Sequence, residues 1–141
     1  MIKGKNGIYG FLFLLLLACE PGYTDELDGK WQLREVTQTD GSTHKVDTVW
    51  YNFQNTLFQY QFYIPKGPDG EGDVYHHWYG YKEKEDSQTL KLEFDTELAP
   101  VDHFLKSTDW STSQRTFLIE KHSGNKLVLS SEGKLYHFRK F

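Results

Sequence analysis

The chain has 141 residues, which is room for one domain. Its single cysteine, Cys19, excludes an intramolecular disulfide. Acidic residues outnumber basic ones 20 to 16, a balance that disfavours nucleic acid and anionic membrane surfaces as partners.

Residues 1–19 read as a targeting segment. Lys3 and Lys5 form a basic start, and Ile8 to Leu17 is an apolar run interrupted only by Gly10. The run is too short to span a bilayer as a helix, and its layout is that of a secretory signal. Without a twin arginine, the general secretory route is expected. Leu16-Leu17-Ala18-Cys19 resembles the bacterial lipobox. That resemblance implies cleavage before Cys19 and transfer of a diacylglyceryl group to its thiol. Two or more acyl chains anchor stably, at about 0.8 kcal/mol per buried methylene. Lipidation would also remove a lone thiol from an oxidising compartment, and with it any cysteine chemistry in the mature chain. Losing Lys3 and Lys5 leaves 14 basic against 20 acidic residues, a net charge of −6.

Residues 20–26 (EPGYTDE) are polar and contain Pro21 and Gly22, so they are expected to form a tether. Residues 27–141 are expected to be the folded domain. Short aromatic and β-branched runs separated by turn residues dominate it. The expected strands are Trp31–Val36, Val46–Phe53, Leu57–Ile64, Val74–Lys82, Thr89–Asp95, Thr116–Lys121, Lys126–Ser131 and Lys134–Phe141. Leu57–Ile64 is the clearest, because Phe58, Tyr60, Phe62 and Ile64 alternate with Gln59, Gln61 and Tyr63. Pro65 to Asp73 reads as a long hairpin tip, Glu83 to Asp86 as a charged turn, and His122–Asn125 and Glu132-Gly133 as the last turns. Thr96 to Arg115 lacks alternation and contains Pro100. It is expected to be a crossing loop or short helix, with one helical turn at Asp102–Lys106. Eight antiparallel strands joined mostly by hairpins predict an all-β, up-and-down barrel, with the signal segment outside the fold.

Leu27-Asp28-Gly29-Lys30-Trp31 resembles the Gly-x-Trp start of a lipocalin barrel. The resemblance implies that Trp31 plugs the closed end, that Gly29 admits the chain to the floor, and that Arg139 or Lys140 lies across the tryptophan. The layout is similar to lipocalin-like domains of unknown function in small Gram-negative envelope lipoproteins. The Gly29-Lys30-Trp31-Gln32-Leu33 start and the Tyr136-His137-Phe138-Arg139-Lys140 end carry that likeness. Thr108-Asp109-Trp110 resembles the lipocalin Thr-Asp-Tyr loop, but three strands are expected after it rather than two. The chain also stops at its last strand, without the helix that packs beside a full lipocalin barrel.

Eleven aromatic residues lie between Trp50 and Tyr81. They suit a core, or a stacking surface for a ligand. Tyr63, Tyr75 and Tyr79 share strands with aromatics of the opposite parity, so one sheet face cannot hold them all. Of the six histidines, His76 and His77 are adjacent on a strand and point to opposite faces, so no metal is expected. Asp69, Glu71 and Asp73 alternate in a Gly-rich tip, but the calcium-loop pattern fails at Val74 and Gly80. Glu93 and Asp95 share a strand face with Lys91, a water-facing charge row rather than an acid pair for hydrolysis. No nucleophile elbow, phosphate loop or His-Glu-x-x-His is present, so neither an enzyme nor a cofactor is expected.

Two functions remain open. One is a membrane-anchored binding protein that takes a small apolar or aromatic ligand in the barrel mouth, lined by Tyr60, Phe62 and Trp78. The other is an accessory or inhibitor subunit of an envelope complex that uses an outer aromatic face. Either would sit in the cell envelope on lipid at Cys19, at the outer membrane, facing the periplasm or the cell surface.

Overall fold

Alternation with a period of two sends successive side chains to opposite faces of a strand, and here it decides the architecture. A computed structural model describes residues 25–70 and 72–141. The signal segment, Cys19 and most of the tether lie outside the described residues. The elements are β1 (Gly29–Thr37), β2 (Thr43–Lys45), β3 (Val49–Gln54), β4 (Leu57–Ile64), β5 (Val74–Lys84), β6 (Thr89–Phe94), α1 (Asp102–Ser107), β7 (Gln114–Ser123), β8 (Lys126–Ser131) and β9 (Lys134–Lys140). From β3 to β9 each strand pairs antiparallel with the next, β1 pairs with β3, and β9 returns to β1. The sheet is thus a closed barrel of eight staves, as expected, with one additional strand. Closure removes the unpaired edges that an open sheet would expose.

The additional strand, β2, lies just before the run expected at Val46–Phe53, and that run itself forms β3 from Val49. β2 pairs with Glu35–Thr37 and β3 with Gly29–Gln32, so both lie along one edge of β1. β1 shifts register against β9 between Leu33 and Glu35. A bulged strand bends locally, and on the other edge of β1 the pairing passes from β3 to β2 near the same point. Val46 N still donates to Arg34 O across the break at 2.9 Å. The final hairpin turns at Glu132 and Gly133, both with positive φ, 54° and 79°. A two-residue turn of this kind needs φ > 0 at both central positions, which glycine adopts without strain.

Inward side chains form one aromatic core. Trp31, Tyr51, Phe58, Phe104 and Phe117 are among its most deeply buried members. At the floor, Trp31 Nε1 donates to Leu27 O at 2.8 Å, and Lys140 Nζ lies 5.4 Å from the ring centre. Such a cation–π contact contributes about 0.5–2 kcal/mol. Arg139 does not take this place. Phe138 points inward, so its neighbour Arg139 points out and Lys140 points back towards Trp31. Gly29 has φ +134°, and a Cβ there would stand 2.7 Å from Lys140 Cε, so a side chain would displace the lysine from the floor. Lys82 also enters from β5, buried, with its Nζ 2.8 Å from Asp25 and 5.8 Å from the Phe53 ring centre.

Candidate functional site

The side chains expected to line an open mouth point inward, but they do not meet open space. Phe104 projects from α1 between the strands, fully buried. Its ring centre is 4.6 Å from Phe94, 4.8 Å from Tyr60 and 5.0 Å from Trp78. Trp110 fills the next layer, 4.9 Å from Phe94 and 5.9 Å from Phe117. Phe62 is half-buried and packs against this cluster from the rim. The stretch expected as a crossing loop or short helix, Thr96 to Arg115, forms α1 where the helical turn was expected and supplies the filling of the mouth.

A polar cluster missed by sequence reading sits beside that filling. Arg115 is buried on β7. Its Nε donates to Ser131 Oγ (3.0 Å), Nη1 to Asp109 Oδ1 (3.1 Å), and Nη2 to Tyr136 Oη (2.6 Å). Glu132 Oε2 is 3.1 Å from Nη2, and Lys134 Nζ is 3.5 Å from Asp109. The guanidinium lies 5.0 Å from both the Phe117 and Tyr136 ring centres. Burial alone would raise the Asp109 carboxyl, but the hydrogen bond from Tyr136 and the charge of Arg115 outweigh it and hold it below the usual range. Burial, and then the bond to Asp109, push the Tyr136 hydroxyl well up. Tyr51, desolvated in the core, moves the same way and accepts from Trp110 Nε1 at 3.3 Å. The only sequence signal for this cluster was the Thr108-Asp109-Trp110 loop.

Outside the barrel, β3, β4 and β5 present a different surface. Their outward residues are Trp50, Asn52 and Gln54 on β3; Leu57, Gln59, Gln61 and Tyr63 on β4; and Tyr75, His77, Tyr79, Tyr81 and Glu83 on β5. Only Glu83, past the last β5 residue paired with β4, is Lys, Arg, Asp or Glu, although 26% of the chain is. Leu57 is 53% exposed, and Tyr75, Tyr79 and Tyr81 each about half. Rings 75, 77 and 79 follow one another at 6.4 and 6.3 Å. Asn52 Nδ2 donates to Gln59 Oε1 at 2.6 Å, tying the amides into a row. Charge appears at the margin. Lys30 lies over Trp50, Asp73 accepts from Tyr63 (2.6 Å), and Asp95 accepts from Tyr81 (2.9 Å). Two shallow grooves flank Leu57 and Tyr79, of about 330 and 240 Å³, and Leu98 borders the second.

The other expectations place simply. Asp95 is engaged with Tyr81 rather than paired with Glu93 as an acid couple. His76 and Trp78 share the inner parity, while His77 stacks outside between Tyr75 and Tyr79. Glu71 of the hairpin tip lies outside the described residues, as does Cys19. Among the described residues no three His, Cys, Asp or Glu side chains converge as metal ligands.

An eight-stave antiparallel barrel with a tryptophan floor defines a class of proteins generally used for binding. A family model described as a lipocalin-like domain matches residues 14–141, and the chain belongs to that family. Among solved structures it is similar to a lipocalin-like protein from Bacteroides uniformis, at 31% identity and a TM-score of 0.68. That match covers 83% of this chain and all of the other. It is also similar to an uncharacterized protein from Bacteroides eggerthii, at 31% identity and a TM-score of 0.65, covering 81% of this chain and 98% of the other. No curated protein matches.

Proposed function

We propose that this is a non-enzymatic binding lipoprotein of the cell envelope, anchored through Cys19 at the outer membrane, that recognises a partner protein with the outer face of β3–β5. The carrying observation is that eleven of that face's twelve outward residues are uncharged, the exception being Glu83 at its edge, in a chain rich in charge elsewhere. Protein interfaces are depleted of charge at the centre, enriched in tyrosine and tryptophan, and polar at the rim. Lys30, Asp73 and Asp95 form such a rim here. The exposed aliphatic tips of Leu57 (53%) and Leu98 (69%) favour apolar side chains over a hydroxylated sugar as the opposing surface. A standard interface uses about 20–30 residues a side, so the footprint would extend onto Leu98 and Phe141 at the margin.

The test is site-specific photo-crosslinking in the native cells, with the reactive residue at Tyr79 and, as control, at Val128 on the opposite outer wall. The proposal expects a discrete protein adduct from position 79 that Leu57→Asp abolishes. Equal adducts from both positions, or none from position 79, would refute it. A glycan adduct would replace the partner class.

A further inference from the structure

β5 outruns one of its two neighbours. It pairs with β4 as far as Val74, opposite Ile64, but with β6 only as far as Gly80, opposite Phe94. Beyond β6 the chain leaves the wall for α1. In an antiparallel strand the N–H and C=O of one residue point to the same edge, and the edge alternates along the chain. Lys82 N donates to Thr56 O on the β4 side, and Tyr79 O accepts from Asp95 N on the β6 side. Even-numbered residues of β5 therefore bond towards β4, and Tyr75 and His77 face the open side. Among the described residues, no group bonds the main chain of Tyr75 or His77 there. Both side chains are exposed, and so is Val74.

Unpaired strand edges are normally guarded by lysine, proline, a bulge or shortness. β2, at the other end of the sheet, has three residues and ends in Lys45. The open stretch of β5 has no such guard. Val74-Tyr75-His76-His77-Trp78-Tyr79 is rich in aromatic residues and contains no Lys, Arg, Asp, Glu or Pro. Charge stands at its two ends. Asp73 precedes it at the hairpin tip, and Asp95 and the exposed Glu97 stand where β6 ends.

We propose that this edge takes an added strand: an extended segment of a partner protein, uncharged along the open stretch and basic at both ends, pairs antiparallel with β5 from Val74 to Trp78. The proposal rests on the reading of the adjoining β3–β5 face as a partner surface, and states how the partner is held. An open edge asks for a strand, because only a backbone repeats donors and acceptors at the matching interval. Tyr75 and His77 would each exchange two bonds with the residue opposite. Alternate side chains of the added strand would lie beside Tyr75 and His77 outside, and beside His76 and Trp78 at the rim of the mouth. The end charges choose the segment, since carboxylates at Asp73 and Asp95 attract Lys or Arg flanks and repel acidic ones. They also disfavour a second copy of this chain. In the two-fold register that uses Tyr75 and His77 of both copies, His76 opposes itself, and Asp73 of one copy comes beside Tyr79 and Asp95 of the other.

The test uses the full chain in detergent and two synthetic peptides. One alternates Thr and Val with two Lys at each end, and the other has Glu in place of every Lys. Binding is read from amide hydrogen exchange. In the free chain Tyr75 and His77 should exchange fast, and His76 and Trp78, bonded to β4, slowly. The lysine peptide should slow Tyr75 and His77 at least about tenfold, and the glutamate peptide should leave them unchanged. His77→Pro removes a donor at an edge position where proline is tolerated. It should weaken the lysine peptide at least about fivefold relative to His77→Ala, which keeps the N–H. If His77→Pro does not fold, the contrast between the two peptides decides. No protection from the lysine peptide, or equal protection from both, overturns the proposal. Protection that rises with the concentration of the chain alone overturns it in favour of a second copy. In cells, a protein adduct at Tyr79 that His77→Pro leaves unchanged would keep the partner surface and reject the added strand.

Discussion

Removing the Phe104 side chain is the sharpest probe of how the mouth is closed. The ring is fully buried and touches Tyr60, Trp78, Phe94 and Trp110 at centre distances of 4.6–5.5 Å. Phe→Ala in a rigid core costs about 3–5 kcal/mol, the larger values arising where the cavity cannot collapse. Here the segment is free to settle, because its backbone is not part of the sheet, so the lower end, about 3 kcal/mol, is expected for Phe104→Ala. For a domain of this size that corresponds to a fall in Tm of about 10–15 °C. Phe117→Ala, equally buried but on a paired strand, should cost about 4–5 kcal/mol. Urea denaturation checks both, read as midpoint and slope. A cost below about 1 kcal/mol for Phe104→Ala, or a cost equal to that of Phe117→Ala, would refute the picture of a separately packed plug.

Other outcomes follow from the polar groups. Asp25→Asn should destabilise by about 2 kcal/mol and Lys82→Met by less than about 1, because the first leaves a lysine whose side chain is 2% exposed with only the more distant Asp28, at 3.9 Å, whereas the second leaves a carboxylate that water can reach; chemical denaturation of each variant decides the order. Asp109 has a folded pKa below its unfolded one, so its contribution is complete above about pH 4 and lost as the pH falls through the depressed value; Asp109→Asn should flatten that acid limb of the stability curve. Tyr51 and Tyr136 have folded pKa values above the unfolded value near 10, so the folded state keeps protons that the unfolded chain releases. Stability should fall as the pH rises above about 10, and Tyr51→Phe should make that fall shallower in thermal melts.

The strands were legible because alternation is local: Phe58, Tyr60 and Trp78 face inward as their spacing implies. Lys140 could have been chosen over Arg139 by the same rule, since Phe138 already fixes the parity of β9. β2 was not legible, because three exposed residues, Thr43–Lys45, carry no pattern of their own and are a strand only through pairing with β1. Nor were the inward charges. Lys82 and Arg115 stand at apolar positions of their strands, and what makes them tolerable, Asp25 and Asp109, comes from segments without periodicity. The filling of the mouth was hidden for the same reason. Phe104 and Trp110 lie in the one long stretch with no alternation, and only the closed barrel determines that they turn inward.

Where the tether joins the barrel fixes which end meets the membrane, if Cys19 carries lipid. Asp25 is held by Lys82, Glu26 by Lys84, and Asp28 O accepts from Lys140 at 3.1 Å, all at the floor end. The six residues from Cys19 to Asp25 reach at most about 20 Å when extended. β9 runs from the mouth to the floor over seven residues, about another 20 Å. With lipid on Cys19 the floor would be the membrane-proximal end, the Arg115 cluster would be distal, and the β3–β5 face would stand to the side. Fluorophores placed at Asn55, in the floor turn, and at Lys134, at the mouth, should be quenched unequally by headgroup-borne quencher, with Asn55 the stronger. Equal quenching would mean that the pinned N-terminal segment does not orient the barrel, and stronger quenching at Lys134 would place the mouth on the bilayer instead.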